Sequence, residues 1–208
     1  LKDDYDVSYM WKDIFTKDTL IELITKFIFI EKKESKDEVT GKKKVSERII
    51  FPRYHQLDAL RKIIADLKIN HTDQNYLIEH SAGSGKTNTI AWLAHRLASL
   101  HDNDDHQIFD NIIIMTDRVV VDRQLQKAIM GLEHRSGLIQ VMNDKCTSAD
   151  LKYALESNTK IIVTTIQKFP YVVDLIKDSN NKNVDLKNKK FAVIIDEAHS
   201  STAGKDMI

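Results

Sequence analysis

The run Ser81-Ala82-Gly83-Ser84-Gly85-Lys86-Thr87 constrains the fold of this chain more than any other segment. Glycine lets a backbone curl tightly with its N–H groups pointing inward, and a Cβ at Gly83 or Gly85 would obstruct that turn. Such a loop meets a phosphate best when it follows a strand and opens a helix, whose N-terminus then faces the anion. The flanks agree, because residues 75–80 are typical of a short buried strand and residues 87–100 of an amphipathic helix.

The end of this run supplies the side chains that a nucleoside triphosphate needs. Lys86 would reach the β- and γ-phosphates, and the Thr87 hydroxyl would ligate magnesium. The predicted phosphate cradle is Gly83, Ser84 and Gly85. The strict pattern expects glycine five positions before Gly85, where this chain has His80, and we interpret that residue as a variation. A glycine-serine turn beside a solvated lysine is the alternative interpretation.

A second motif lies far downstream, where the apolar run 191–195 ends at Asp196. Such a run predicts a central strand of a parallel sheet with both faces covered, and ligand chemistry in α/β folds lies at the carboxyl ends of strands. We expect Asp196 to hold magnesium, and Glu197 to orient and polarise an attacking water. The alternative is an acidic pair that caps a helix.

Composition limits the partners and the compartment. The 208 residues carry 31 basic and 31 acidic side chains, so no global positive field favours nucleic acid, and any such contact must be local. The single cysteine, Cys146, excludes a disulfide within the chain and fits a reducing cytoplasm. No signal peptide is evident, and the apolar runs are too short to span a membrane.

From residue 49 onward, strand and helix patterns alternate, which predicts an α/β domain with a mostly parallel sheet and helices on both faces. The predicted helices are 52–67, 87–100, 119–130 and 148–157, the last capped by Ser148, and the predicted strands are 75–80, 111–116, 138–141, 160–165 and 190–195. Residues 1–48 are expected to form a helical extension, with Thr19 and Glu22 as a capping box, and a charged linker. We expect the chain to be a fragment of a longer protein, with residues 49–208 as its ATP-binding domain.

The charged stretch 31–48 offers two further interpretations. Lys42 to Lys44 are candidates for DNA contact, although charge runs are usually solvated. Glu31 and Lys33 match the end of a metal-dependent nuclease motif, but no convincing aspartate-bearing strand precedes them.

Taken in order, five segments resemble the first RecA-like motor domain of superfamily-two helicases and translocases. More narrowly, they resemble the motor (R) subunit of type I restriction endonucleases. The segments are 51–56, 80–94, 116–118 with 122–125, 164–169 and 196–201.

The resemblance implies roles for the matching residues. Gln56 would bind adenine through its side-by-side donor and acceptor. Arg118 and Arg123 would contact the DNA backbone, with surface ion pairs as the alternative. Thr164 and Thr165 would donate to DNA phosphates, or else form a buried strand pair. His199 would relay the nucleotide state to the nucleic-acid side.

The same resemblance implies an ATP- and Mg²⁺-dependent translocase on double-stranded DNA, assembled with specificity and methylation subunits. An upstream nuclease and a second motor domain are expected, and the second motor domain would supply the transition-state arginine. This chain alone is therefore expected to bind ATP but hydrolyse it poorly. Other superfamily-two DNA or RNA helicases, and a nucleotide-gated scaffold without catalysis, are the alternatives; a small-molecule kinase fits the motif order poorly.

Overall fold

The computed structural model divides the chain into two compact units, Leu1–Tyr54 and His55–Ile208. It describes residues 5, 7–36, 41, 43–117, 123–132, 137–142, 146–157, 159–168, 170, 174 and 188–198. Within those residues, no helix is both long and apolar enough to cross a bilayer. The proposed boundary after residue 48 stays a prediction.

The first unit begins with helical structure, as predicted, and then forms strands where a charged linker was predicted. A π-helical turn at Met10–Ile14 precedes helix α1, Lys17–Lys26. The side chain of Thr16 caps α1 by accepting from the Thr19 N–H, so the predicted capping box at Thr19 was three residues late. Thr19 lies buried inside the helix instead.

Most of the predicted charged linker is an antiparallel hairpin. Strands β1, Phe29–Lys36, and β2, Lys43–Ile50, pair from Phe29 opposite Ile50 to Lys36 opposite Lys43. Opposite charges on adjacent strands bind each other, with Arg48 Nε 2.5 Å from a Glu31 carboxylate oxygen. The linker prediction was wrong because the cross-strand pairing of these charges is invisible in a local charge count.

One of the two nuclease candidates, Glu31, forms an ion pair within the hairpin. The Glu31 carboxylate is bound to Arg48, and no group of three or more His, Cys, Asp or Glu able to hold a metal ion occurs among the described residues. Lys42 lies outside the described residues, so a DNA contact by the Lys42–Lys44 run stays a prediction.

The second unit is the predicted α/β domain. Its helices are α2, Tyr54–Asn70, α3, Lys86–Ala98, α4, Arg123–Gly131, and α5, Ser148–Glu156. Its strands are β3, Asn111–Thr116, β4, Ile139–Val141, β5, Ile161–Thr165, and β6, Phe191–Ile195, and a 3₁₀ turn, Ile166–Lys168, follows β5. Ser148 was predicted to cap α5, but Thr147 does so, in a capping box with Asp150.

The four strands form one parallel sheet in the order β4-β5-β3-β6. Every residue of β3 and β5 is buried, as near-continuous runs of isoleucine and valine predict for inner strands. On one face of the sheet Ile113, Met115 and Ile162 pack with Leu151 and Leu155 of α5. The predicted fold class is therefore confirmed.

Two strand predictions were wrong in informative ways. Residues 75–80 have no strand pairing, and Leu77 among them is 81% exposed. Strand β6 was predicted to be central, but within the described residues it pairs with β3 alone. Its Val193 and Ile195 are each nearly half exposed. An apolar run indicates that burial of a strand is favourable, but it does not indicate which neighbouring element will cover the strand.

Candidate functional site

The glycine-rich loop has the backbone shape that its sequence predicts. Gly83 and Gly85 have φ values of 74° and 94°, in the left-handed region that glycine adopts without strain. Gly85 is the N-cap of α3, and no side chain among the described residues caps that helix. The first N–H groups of a helix have no partner within it, so this terminus is suited to an anion.

A side chain at Gly85 would also displace Gln56. A Cβ at this position would lie 2.7 Å from Nε2 of Gln56, which is closer than any ordinary contact. The Gln56 amide donates to the Gly85 carbonyl oxygen and to Thr89 Oγ1, both at 3.0 Å. Gln56 is only 3% exposed, so in this structure it braces the loop. Its predicted contact with adenine stays a prediction.

Two of the three predicted catalytic residues, Lys86 and Glu197, meet across the site. Nζ of Lys86 lies 2.6 Å from Oε1 of Glu197, and both side chains are partly exposed. The hydrogen bond that Lys86 donates to Glu197 is the largest influence on the lysine and raises the pKa of its ammonium; burial opposes this shift, and the charges of Glu197 and Asp196 add to it. Lys86 is therefore fully charged at neutral pH.

The end of β6 places both acidic residues. The Asp196 N–H donates to the Met115 carbonyl at 2.9 Å, which extends the β3–β6 ladder by one residue. Glu197 follows with φ of 54°, a left-handed conformation that costs a non-glycine residue about 1–2 kcal/mol. Backbone strain of this kind often occurs at functional sites, and here it accompanies the contact with Lys86.

Two histidines beside the loop were not predicted to have a role. His80 Nδ1 lies 2.9 Å from Oγ of Ser84, and His55 Nε2 lies 3.3 Å from the Ser84 carbonyl oxygen. The two imidazole rings meet edge to face with centroids 5.4 Å apart. The available signal was the departure at His80 from the strict glycine pattern, which the sequence alone presents as a neutral variation.

A groove of about 1690 Å³ opens beside these residues. It lies between residues 72–81, α3 and residues 189–198, and its polar lining includes His80, Ser81, Lys86, Asp196 and Glu197. The groove is larger than a typical small-molecule site, so a nucleotide would fill only part of it. Thr87, the predicted magnesium ligand, is the second residue of α3 and is partly exposed.

Comparison with known proteins identifies the family. Residues 55–207 match the model of the SWI2/SNF2 ATPases. The chain belongs to the SWI2/SNF2 ATPase family. Nucleotide use follows from that membership, and the loop, Lys86 and the acidic pair all lie within the matched residues.

Relatives of this ATPase are restriction enzyme subunits. One is the C-terminal part of a putative type I restriction enzyme MpnIIP endonuclease subunit from Mycoplasma pneumoniae, 31% identical over 164 residues, covering 74% of this chain and 73% of that protein. The putative MjaVIIIP endonuclease subunit of Methanocaldococcus jannaschii is 27% identical over 98% of this chain, which spans 21% of that protein. The ATPase is thus also a member of the type I restriction enzyme endonuclease subunit family. No solved structure matches it.

The residues predicted to contact DNA are only partly placed in this ATPase. Arg118 lies outside the described residues, as does His199, the predicted relay of the nucleotide state. Arg123 is exposed at the start of α4. Thr164 and Thr165 are 0% and 4% exposed, which favours the alternative of a buried strand pair. A phosphate would reach them only if the strand end opened, so their DNA contact stays a prediction.

Proposed function

We propose that this chain is the ATP-binding half of an ATP-dependent double-stranded DNA translocase within a type I restriction endonuclease. The single observation that carries the proposal is the Lys86–Glu197 pair, formed between the glycine-rich loop and the end of β6. Two groups that are 111 positions apart in sequence meet there, and we assign the terminal phosphate and its attacking water to this point.

The residues of the site fit a magnesium nucleotide. Gly83 and Gly85 both have positive φ, a backbone conformation that lets a loop curl closely around a phosphate. The Thr87 hydroxyl and the Asp196 carboxylate are oxygen ligands of the kind that Mg²⁺ prefers. When bound, the ion would neutralise charge on the β- and γ-phosphates.

The ion pair suggests how binding prepares the chemistry. A γ-phosphate that binds Lys86 would take the place of the Glu197 carboxylate on the ammonium group. Glu197 would then be released to accept a hydrogen bond from water and orient it for in-line attack. A second motor domain would supply the arginine that stabilises the transition state, so this chain alone would bind ATP but turn it over slowly.

On the DNA side, Arg118 and Arg123 would hold the sugar-phosphate backbone of a duplex. Contacts of this type are independent of sequence, and their affinity falls as salt rises. Specificity and methylation subunits would supply recognition of the site, within a cytoplasmic complex.

The test is ATP hydrolysis by the full-length protein with its partner subunits, offered linear duplex DNA, single-stranded DNA or RNA. Stimulation by duplex alone, lost in Lys86→Ala, is the expected result. A preference for single strands or RNA would assign the chain to strand-separating helicases instead. Hydrolysis that no nucleic acid stimulates, and that Glu197→Gln leaves unchanged, would favour the non-catalytic scaffold.

A further inference from the structure

Ser84, in the middle of the glycine-rich loop, forms three hydrogen bonds within the protein. Its N–H donates to the Ser81 carbonyl at 3.2 Å, its hydroxyl meets His80 at 2.9 Å, and its carbonyl oxygen meets His55 at 3.3 Å. The residue is 8% exposed. Its backbone donor, backbone acceptor and side chain are therefore all engaged inside the protein.

The contacts come from two different parts of the fold. His55 and Gln56 are neighbours in the first turn of α2, and they bind two consecutive carbonyl groups of the loop, those of Ser84 and Gly85. His80 approaches from the segment that leads into the loop. The loop is therefore fixed from both α2 and its own approach segment.

The hydrogen-bond chemistry defines which ring atoms matter. A carbonyl oxygen only accepts, so Nε2 of His55 must carry the hydrogen in its contact with Ser84. Nδ1 of His80 serves equally as donor to, or acceptor from, the Ser84 hydroxyl. Burial, and then the nearby charges of His55 and Lys86, lower the pKa of His80, which keeps its ring neutral at physiological pH.

We propose that His80 and His55 are positioning residues of the nucleotide site, which hold Ser84 so that the loop backbone keeps the shape that receives the phosphates. This inference rests on the proposed nucleotide-binding function. Neither ring is required to touch the nucleotide, because each acts through Ser84. Without either contact, the free loop would sample more conformations. Nucleotide binding would then cost more conformational entropy, and affinity would fall.

The test uses side chains that replace one ring nitrogen at a time. The amide of asparagine lies near the position of histidine Nδ1, and the longer glutamine places its amide near Nε2. The affinity of the full-length protein for ATP and for ADP is measured by calorimetry for His80→Ala, His80→Asn and His80→Gln, and for His55→Ala, His55→Gln and His55→Asn. His106→Ala, at an exposed histidine outside the site, is the matched control.

We expect each alanine variant to bind both nucleotides about threefold to tenfold more weakly, the range for loss of one neutral hydrogen bond. His80→Asn and His55→Gln should recover most of the affinity. His80→Gln and His55→Asn, whose amides lie near the other ring nitrogen, should not. In a Ser84→Ala background, His80→Ala should cause no further loss. Thermal unfolding of each variant checks that the fold persists.

Two results would overturn the inference while leaving the proposed function intact: wild-type affinity in both alanine variants, or equal rescue by asparagine and glutamine at each position. Absence of nucleotide binding by the wild-type protein is a different outcome, since it removes the proposed function and this inference with it.

Discussion

Lys86 and Glu197 neutralise each other in this structure, with Nζ of the lysine 2.6 Å from Oε1 of the glutamate. Each group is therefore occupied by the other before any phosphate arrives. Because both side chains are partly exposed, the pair is screened by water and is weak enough to exchange. The site thus holds the charged ammonium group of Lys86 next to a carboxylate, that of Glu197, which an incoming phosphate would replace.

Replacing Glu197 by glutamine should separate binding from chemistry. Glu197→Gln removes the carboxylate that competes with phosphate for Lys86, so ATP affinity should stay equal or tighten by up to about fivefold. Loss of the group that polarises water should lower hydrolysis by at least about 100-fold. Calorimetry and steady-state hydrolysis by the full complex measure the two effects.

Asp58→Asn provides the matched control, because it breaks an exposed lysine–carboxylate pair of similar length, Lys62–Asp58 at 2.8 Å. Neither binding nor turnover should change in that variant. Weaker ATP binding by Glu197→Gln would show that the carboxylate supports nucleotide binding and does not compete with it.

Gly85→Ala should destabilise the protein more than Gly137→Ala. Both glycines have positive φ, 94° and 91°, so each alanine incurs a backbone penalty of about 1–2 kcal/mol. Only at Gly85 does the new Cβ meet an atom within 4 Å, the Gln56 amide nitrogen. Displacing that buried amide from its two acceptors should add about 1–3 kcal/mol, measured as the free energy of unfolding in urea. Equal losses at the two positions would mean that Gln56 moves aside freely.

Thr164→Val should leave stability unchanged or raise it by about 1 kcal/mol. The Thr164 hydroxyl is fully buried and has no hydrogen-bond partner among the described residues, so a valine of similar shape removes an uncompensated desolvation penalty. In the control Thr159→Val, the lost hydroxyl is bonded to Ser157 Oγ at 2.8 Å, and stability should fall by about 1 kcal/mol. Weaker duplex binding by Thr164→Val would instead support the DNA contact.

Tyr76 should ionise only at strongly alkaline pH. Burial first, and then a 2.5 Å hydrogen bond to Asp66, raise its pKa from 10.0 to about 12. The protonated phenol is favoured in the folded state, so its contribution is present below pH 10 and is lost as pH rises toward 12. Alkaline absorbance titration of Tyr76→Phe should lack a step near pH 12. In Asp66→Asn that step should move to lower pH; an unmoved step would contradict the role of Asp66.

The sequence was sufficient for the parts of the fold that local patterns determine. Strand β3 was predicted at its observed bounds, because a run of isoleucines is apolar on both faces. Helix α5 was placed within one residue at each end, although its cap is Thr147 and not Ser148. The loop shape at Gly83 and Gly85 likewise followed from residue type.

Contacts between residues that are far apart in the chain could not be predicted from the sequence. Glu31 binds Arg48 across the hairpin, and nothing in a run of mixed charges indicates that pairing. The segment 75–80 has the composition of a strand, but pairing also requires an available edge at the right distance. In the site, Lys86 and Glu197 were each predicted from a motif. The hydrogen bonds of His55 and His80 with Ser84 depend on tertiary contacts that no motif encodes.

The second edge of β6, which pairs with no strand in the described part of the chain, has a practical consequence for handling this protein. A strand with an open edge and exposed apolar side chains, here Val193 and Ile195, is a template onto which another chain can add a strand. Concentrated samples should therefore self-associate through intermolecular sheet formation. A charge at such an edge opposes strand addition, so Val193→Lys should reduce this self-association.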